Sequence, residues 1–113
     1  MSQRSHDANT QVVDLAGEID VYTAPDLRQK LGDAVESDAL NLVINLESVR
    51  YIDSSGLSVL LETHKRARAR NGRMSVICTH NQILKLFNLT GLNKILQVCG
   101  TESEAVQAVT TEP

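Results

Sequence analysis

The sequence predicts an α/β fold: a mixed β-sheet of four to five strands with about four helices packed on it. Three observations carry that expectation. Aliphatic runs of strand length recur along the 113 residues. Between them lie stretches whose apolar residues repeat at helical spacing. Each helical stretch opens on Thr, Asp or Ser, the residue types that cap helices. Strands alternating with helices imply parallel strands joined by right-handed crossovers. With 42% hydrophobic residues but only 3% aromatic and no Trp, the core must be aliphatic. A chain of this length forms one domain, burying roughly two-thirds of its unfolded surface.

In chain order, residues 1–10 are polar and read as a short edge strand or a frayed end, and residues 11–109 as the folded domain. Residues 11–16 alternate toward a strand that Gly17 stops, and Glu18–Asp20 continue extended into a loop. Thr23 is the expected cap of the first helix, with Pro25 in its first turn and Asp26 closing a capping box. Leu27, Leu31, Ala34 and Val35 then form one apolar stripe. Residues 41–46 are nearly continuously apolar, as suits a strand covered on both faces.

A second apolar run ends at Ile52 and turns through Asp53, Ser54, Ser55 and Gly56 into a helix carrying Leu57, Leu60, Leu61 and His64. That helix ends in a basic turn, residues 65–70, whose cations oppose the negative helix end, and Gly72 is the expected left-handed cap. Residues 74–78 form the next strand. Thr79–Gln82 reads as a capping box before Ile83, Leu84 and Phe87, and Gly91 ends that helix. Residues 95–98 are a final strand, Thr101–Glu104 cap a last helix through Val109, and residues 110–113 are an expected mobile tail.

Several function classes find no support. A net charge of −3 and a pI near 5.5 argue against general nucleic-acid affinity. No apolar run reaches the roughly 18 residues of a membrane span. The opening residues lack the apolar centre of a secretory signal, so a cytoplasmic location is expected. Cys78 and Cys99 belong to no CxxC pair and read as reduced, buried thiols. His6, His64 and His80 show no metal-ligand spacing, and no metal or cofactor is expected. Neither GxxxxGK[ST] nor GxGxxG occurs, and Ser54 lacks the GxSxG elbow of a hydrolase. The basic stretch 64–70 reads as a solvated, dipole-compensating face, and Glu18 and Asp20 as exposed loop carboxylates.

The Asp53–Gly56 corner holds the remaining chemistry. Ser54 and Ser55 sit at the first turn of a helix, where unpaired N–H groups and the macrodipole favour an anion. Two readings stand side by side: ordinary helix capping, or a hydroxyl presented for modification or contact.

Four segments in order, residues 15–20 (Leu-Ala-Gly-Glu-Ile-Asp), 41–46, 51–57 (Tyr-Ile-Asp-Ser-Ser-Gly-Leu) and 86–92, resemble the STAS-domain anti-sigma factor antagonists, bacterial proteins of partner switching. The resemblance covers roughly residues 11–109. It implies a single STAS domain without catalysis of its own. Ser54 falls on the family's phosphorylated serine, Ser55 is the neighbour that shapes the corner, and Asp20 belongs to the loop near it.

The implied partners are an anti-sigma factor with ATP-dependent serine kinase activity and a metal-dependent serine phosphatase, with no nucleic acid and no membrane. The unphosphorylated form would bind the anti-sigma factor and free a sigma factor, and phosphorylation would abolish that binding. The expected docking surface joins Glu18, Asp20 and Thr23, the corner residues Asp53, Ser55 and Gly56, and Ser58 and Glu62 on the following helix. The alternative is a STAS scaffold or transport-complex subunit with no phospho-switch.

Overall fold

Alternating aliphatic strands and amphipathic helices assemble, in the computed structural model, into one five-stranded sheet with helices on both faces; residues 2–37 and 39–110 are described. The elements are β1 (Ser2–Asp7), β2 (Thr10–Ile19), α1 (Ala24–Val35), β3 (Asn41–Ile52), α2 (Ser54–Ala69), β4 (Met74–Ile77), α3 (Asn81–Thr90), a 3-10 turn (Leu92–Lys94), β5 (Gln97–Cys99) and α4 (Glu102–Thr110). Strand order follows the chain, β1-β2-β3-β4-β5. β1 is antiparallel to β2, and the other pairs are parallel.

Sequential order decides where the helices go. Right-handed crossovers that always step the same way put their helices on one face. Accordingly α1, α2 and α3 pack together over Leu42, Ile44, Leu46 and Val76, and the main core contains Leu31, Leu60 and Phe87. Among the described residues only α4, which follows the last strand, covers the other face, through Ala105 and Val109 on Val12, Val43 and Ile77. The alternation of β3 makes this possible: Leu42 and Ile44 point to one layer and Val43 to the other. Each fully buried Leu, Ile or Phe contributes about 1.5–3 kcal/mol.

Several local expectations are revised. β2 does not stop at Gly17; it runs through that residue, whose φ of +81° accommodates an irregularity, to Ile19. β3 likewise continues from Leu46 to Ile52, with one extra residue between Asn45 and Ser48 and another between Val49 and Tyr51. Those bulges return Val49 and then Ile52 to the main core. The left-handed residue after α2 is Asn71, at φ 65°, and not Gly72. The Gly72 and Asn71 N–H groups donate to Ala67 and Arg68 carbonyls at 2.8 and 3.0 Å, a Schellman closure.

The Thr79 hydroxyl instead donates to Glu47 at 2.7 Å, and His80, at the cap position before α3, makes no side-chain cap bond. The caps at Thr101 and Gly91 are present as expected. The final strand lies later, at Gln97–Cys99, with Ile95 and Leu96 leading into it from the 3-10 turn. Thr110 closes α4, and the rest of the expected tail lies outside the described residues.

Candidate functional site

Two loops meet at the carboxyl ends of β2 and β3. Ile19 and Ile52 are register partners, and the Asp53 N–H donates to the Ile19 carbonyl at 3.1 Å, locking one strand end to the other. Gly56 permits the close fit: a Cβ there would lie 2.6 Å from Ile19 Cγ2 and 2.7 Å from Ile52 Cγ1. The glycine of the corner is thus a packing requirement, met without positive φ.

Asp53 is the cap of α2. Its backbone is extended, and its carboxylate accepts the Ser55 and Gly56 N–H groups at 2.9 and 3.2 Å. Ser54 and Ser55 are the first two helical residues, not the caps. Ser55 is half-buried. Ser54 is exposed, and its hydroxyl holds no hydrogen bond among the described residues. Ser54, Ser58 and Glu62 follow at i, i+4 and i+8 as one exposed stripe. Glu62 is engaged with Arg28 of α1 at 2.8 Å.

The facing loop is shaped by Asp20. Its carboxylate accepts the Tyr22 and Thr23 N–H groups at 2.9 and 3.1 Å, and its carbonyl accepts that of Ala24 at 2.8 Å. Thr23 therefore does not cap α1 with its side chain, and the expected capping box with Asp26 does not form. The Thr23 hydroxyl instead accepts the Asp20 N–H at 2.9 Å. Glu18 lies opposite Tyr51 and 3.8 Å from the Arg50 guanidinium. The structure brings Glu18, Asp20, Thr23, Asp53, Ser54, Ser55 and Gly56 to one edge, with Asp20 and Asp53 turned onto their own backbone.

Sequence reasoning missed the apolar crest of this loop. Val21 and Tyr22 stand 60% and 88% exposed directly after Asp20. The signal was present: in Asp-x-x-Thr, an acid that folds back onto the next N–H groups drives the intervening side chains outward. Tyr51, half exposed, lies one residue before Ile52 on the same edge.

Nucleophilic or metal chemistry finds little here. Among the described residues no group of three His, Cys, Asp or Glu is placed to hold a metal ion. Cys78 and Cys99 are buried and free, and burial raises both thiols above their ordinary range. Burial first, then the charge of Arg68, lowers His64. No described helix is long and apolar enough to cross a membrane. What the edge offers is an unengaged hydroxyl at a helix start, flanked by acids and an apolar crest.

Comparison with known proteins decides the family. A profile of the STAS domain matches residues 3–105. An anti-sigma-B factor antagonist of Bacillus subtilis is 39% identical over 95 residues, 84% of this chain and 86% of that protein. This chain belongs to the STAS-domain family of anti-sigma factor antagonists. An anti-sigma factor antagonist from Mycobacterium paratuberculosis superposes with a TM-score of 0.84 at 31% identity, over 96% of this chain and 91% of that one. The anti-sigma factor antagonist SpoIIAA in its unphosphorylated form gives 0.80 at 25% identity, over 95% and 93%. The Bacillus SpoIIAA in the phosphorylated form gives 0.72 at 25% identity, over 95% and 96%. STAS antagonists are regulatory proteins, and the mixed sheet with four helices is their fold.

Proposed function

We propose that this chain is the switch component of a partner-switching pathway, acting in the cytoplasm. Unphosphorylated, it binds an anti-sigma factor that is also an ATP-dependent serine kinase, and so frees the sigma factor. Transfer of the γ-phosphoryl group to the Ser54 oxygen releases ADP and ends the binding. A metal-dependent serine phosphatase returns the hydroxyl.

One observation carries this reading: the division of labour at the corner. Asp53 performs the capping, so the exposed Ser54 hydroxyl is left without a structural task. Support also comes from the named function of the Bacillus subtilis relative and from the existence of SpoIIAA in both phosphorylation states.

The physics of the switch follows from position. Phosphate adds about −1.5 to −2 charges. At the first residue of α2 the helix dipole accommodates them, so the domain itself changes little. At a docking edge that already carries Asp53, Asp20 and Glu18, the added charge opposes a partner shaped for a neutral hydroxyl. Val21 and Tyr22 supply the apolar part of that docking face, with Ser58 and Glu62 beside it. A loss of about 3 kcal/mol weakens binding more than a hundredfold.

The test combines intact mass with pull-down from the native host, using wild type, Ser54→Ala and Ser54→Asp. The expected result is one phosphate on wild type only, with an ATPase partner retained by the Ala variant and lost by the Asp variant. Identical partners for all three proteins, with no phosphate, would make the serine a plain surface residue and the domain a scaffold. Amide shifts spreading across the sheet on phosphorylation would refute the rigid-carrier part.

A further inference from the structure

Charge is segregated along this chain. Residues 63–101 hold seven of its eleven Lys and Arg and no Asp or Glu, so that stretch carries +7 and the remainder −10. Arg66 is tied to Glu36 at 2.7 Å, Arg70 donates to the Ser37 carbonyl at 3.4 Å, and Arg73 is also engaged. Lys65, Arg68, Lys85 and Lys94 form no ion pair among the described residues.

Topology sends most of these free charges to one end. α2 and α3 run back against the parallel strands, so their last turns lie where β4 and β5 begin. Lys65 and Arg68 stand on the last two turns of α2 and Leu89 on the last turn of α3. Lys94 closes the 3-10 turn and Ile95 follows it. Arg68, His64 and Ile95 line one groove, which sets the end of α2 beside that turn.

The exposed large apolar residues divide the same way. Among the described residues there are six, all at the ends of the parallel strands. Val21, Tyr22 and Tyr51 belong to the Ser54 edge. Leu40 precedes β3 at the other end, where Leu89 and Ile95, 73% and 51% exposed, stand among the cations. The Ser54 edge is acidic through Glu18, Asp20 and Asp53, against the single counter-charge of Arg50. One end of the molecule is therefore acidic and apolar, and the opposite end basic and apolar.

Single apolar side chains on a surface are ordinary, but two such sets with opposite charge complement each other. Two copies of the same end repel, which disfavours a symmetric dimer. Only head-to-tail contact sets acid on base and apolar on apolar. Such a contact is heterologous and leaves a free end on each side, so it continues into open chains.

We propose that the basic end of one molecule docks on the Ser54 edge of a second copy of this chain. The contact does not rest on the partner-switch reading; a neighbouring copy and a switch partner compete for the same edge.

The experiment is sedimentation velocity of the full chain over a concentration series reaching about 1 mM, because end-to-end contacts are small and weak. At low salt the sedimentation coefficient should climb with concentration past that of a dimer, and high salt should weaken the association about tenfold. Two variants change exposed positions only: Arg68→Glu with Lys94→Glu at the basic end, and Val21→Lys with Tyr22→Lys at the Ser54 edge. Each alone should associate at least about tenfold more weakly than wild type. Their equimolar mixture retains one intact end of each kind and should form a complex that stops at the dimer. Wild type that stays monomeric throughout the low-salt series overturns the proposal. So does wild type that levels off at a dimer, or a mixture as dissociated as its components. Vesicles of phosphatidylglycerol supply the last arm. Wild type that binds them through Arg68 and Lys94 without self-associating assigns the basic end to lipid and overturns the proposal as well.

Discussion

The two ends of the parallel strands handle polar groups in opposite ways. At the Ser54 edge the acids are inward-looking: Asp20 and Asp53 each accept two backbone N–H groups and so fix their loops. What remains free is a neutral hydroxyl. At the amino-terminal rim Arg66 and Arg70 reach outward to Glu36 and the Ser37 carbonyl beyond the end of α1, and Thr10 keeps a buried hydroxyl without a partner. The glycines differ in parallel. A Cβ on Gly56 would press on the γ-carbons of two buried isoleucines, whereas one on Gly72 would sit 1.9 Å from the Leu40 carbonyl oxygen. The edge closes side chain against backbone; the rim closes backbone against backbone.

The sharpest way to break this contrast is Gly72→Ala. Backbone cannot yield as a methyl can, so the added carbon must displace either the 39–41 segment or the end of α2. We expect a loss of more than about 3 kcal/mol, at the upper end of overpacking costs. Denaturant unfolding would measure it. A loss below about 1 kcal/mol would mean that the backbone at the rim yields readily to a methyl group.

Next in size is Asp53→Ala. Removing the carboxylate orphans the Ser55 and Gly56 N–H groups and costs about 1–2 kcal/mol. Asp53→Asn keeps an acceptor and should recover most of that loss. Should Ala and Asn cost the same, the carboxylate's charge, and not its hydrogen bonds, would be organising the corner.

How much of this was legible in the sequence depends on the range of the interaction. The order of strands and helices, the aliphatic stripes and the Asp-Ser-Ser-Gly corner are local patterns, and all stand in the structure. The errors lie where a local signal met a tertiary partner. Thr79 looked like a cap but bonds Glu47 on another strand's extension. Gly17 looked like a stop, yet β2 gains enough from pairing with a bulged β3 to run through it. Thr23 looked like a cap because the Asp20 turn that replaces it begins three residues earlier. The isolation of the Thr10 hydroxyl depends on packing in three dimensions and had no trace in the local pattern, whereas the outward Val21 and Tyr22 follow from the local Asp20-to-Thr23 spacing.

A smaller effect separates the two faces of the sheet. Arg4 of β1 reaches Asp14 of β2 at 2.7 Å and Glu102 of α4 at 2.5 Å, tying the edge strand to the lone helix. The side-chain hydrogen bond from Arg4 is the main cause that lowers both carboxyls. For groups with depressed folded values, the stabilisation is complete above the unfolded values near pH ~4–4.5 and fades as pH falls through the folded ones. The groups are substantially exposed, so the whole contribution is about 1 kcal/mol or less. Wild type should therefore lose more of its thermal midpoint than Arg4→Met between pH 6 and pH 3. Parallel losses would remove the cluster from the account of α4 docking.

The smallest expected effect is also the most diagnostic for the edge. Ser54 is the first residue of α2, and its hydroxyl bonds nothing within the described chain. Ser54→Asp therefore breaks no contact and adds a negative charge where the helix dipole welcomes one, for a gain of about 0.3–1 kcal/mol at low salt. The gain should shrink as salt screens it. The same substitution is expected to abolish partner binding, so stability and binding must move in opposite directions. That opposition marks a switch acting at an interface, because a charge that worked by disrupting the fold would lower both. If Ser54→Asp lowers the thermal midpoint at low salt, the hydroxyl has a structural role after all, and the contrast between a fixed corner and a free serine fails.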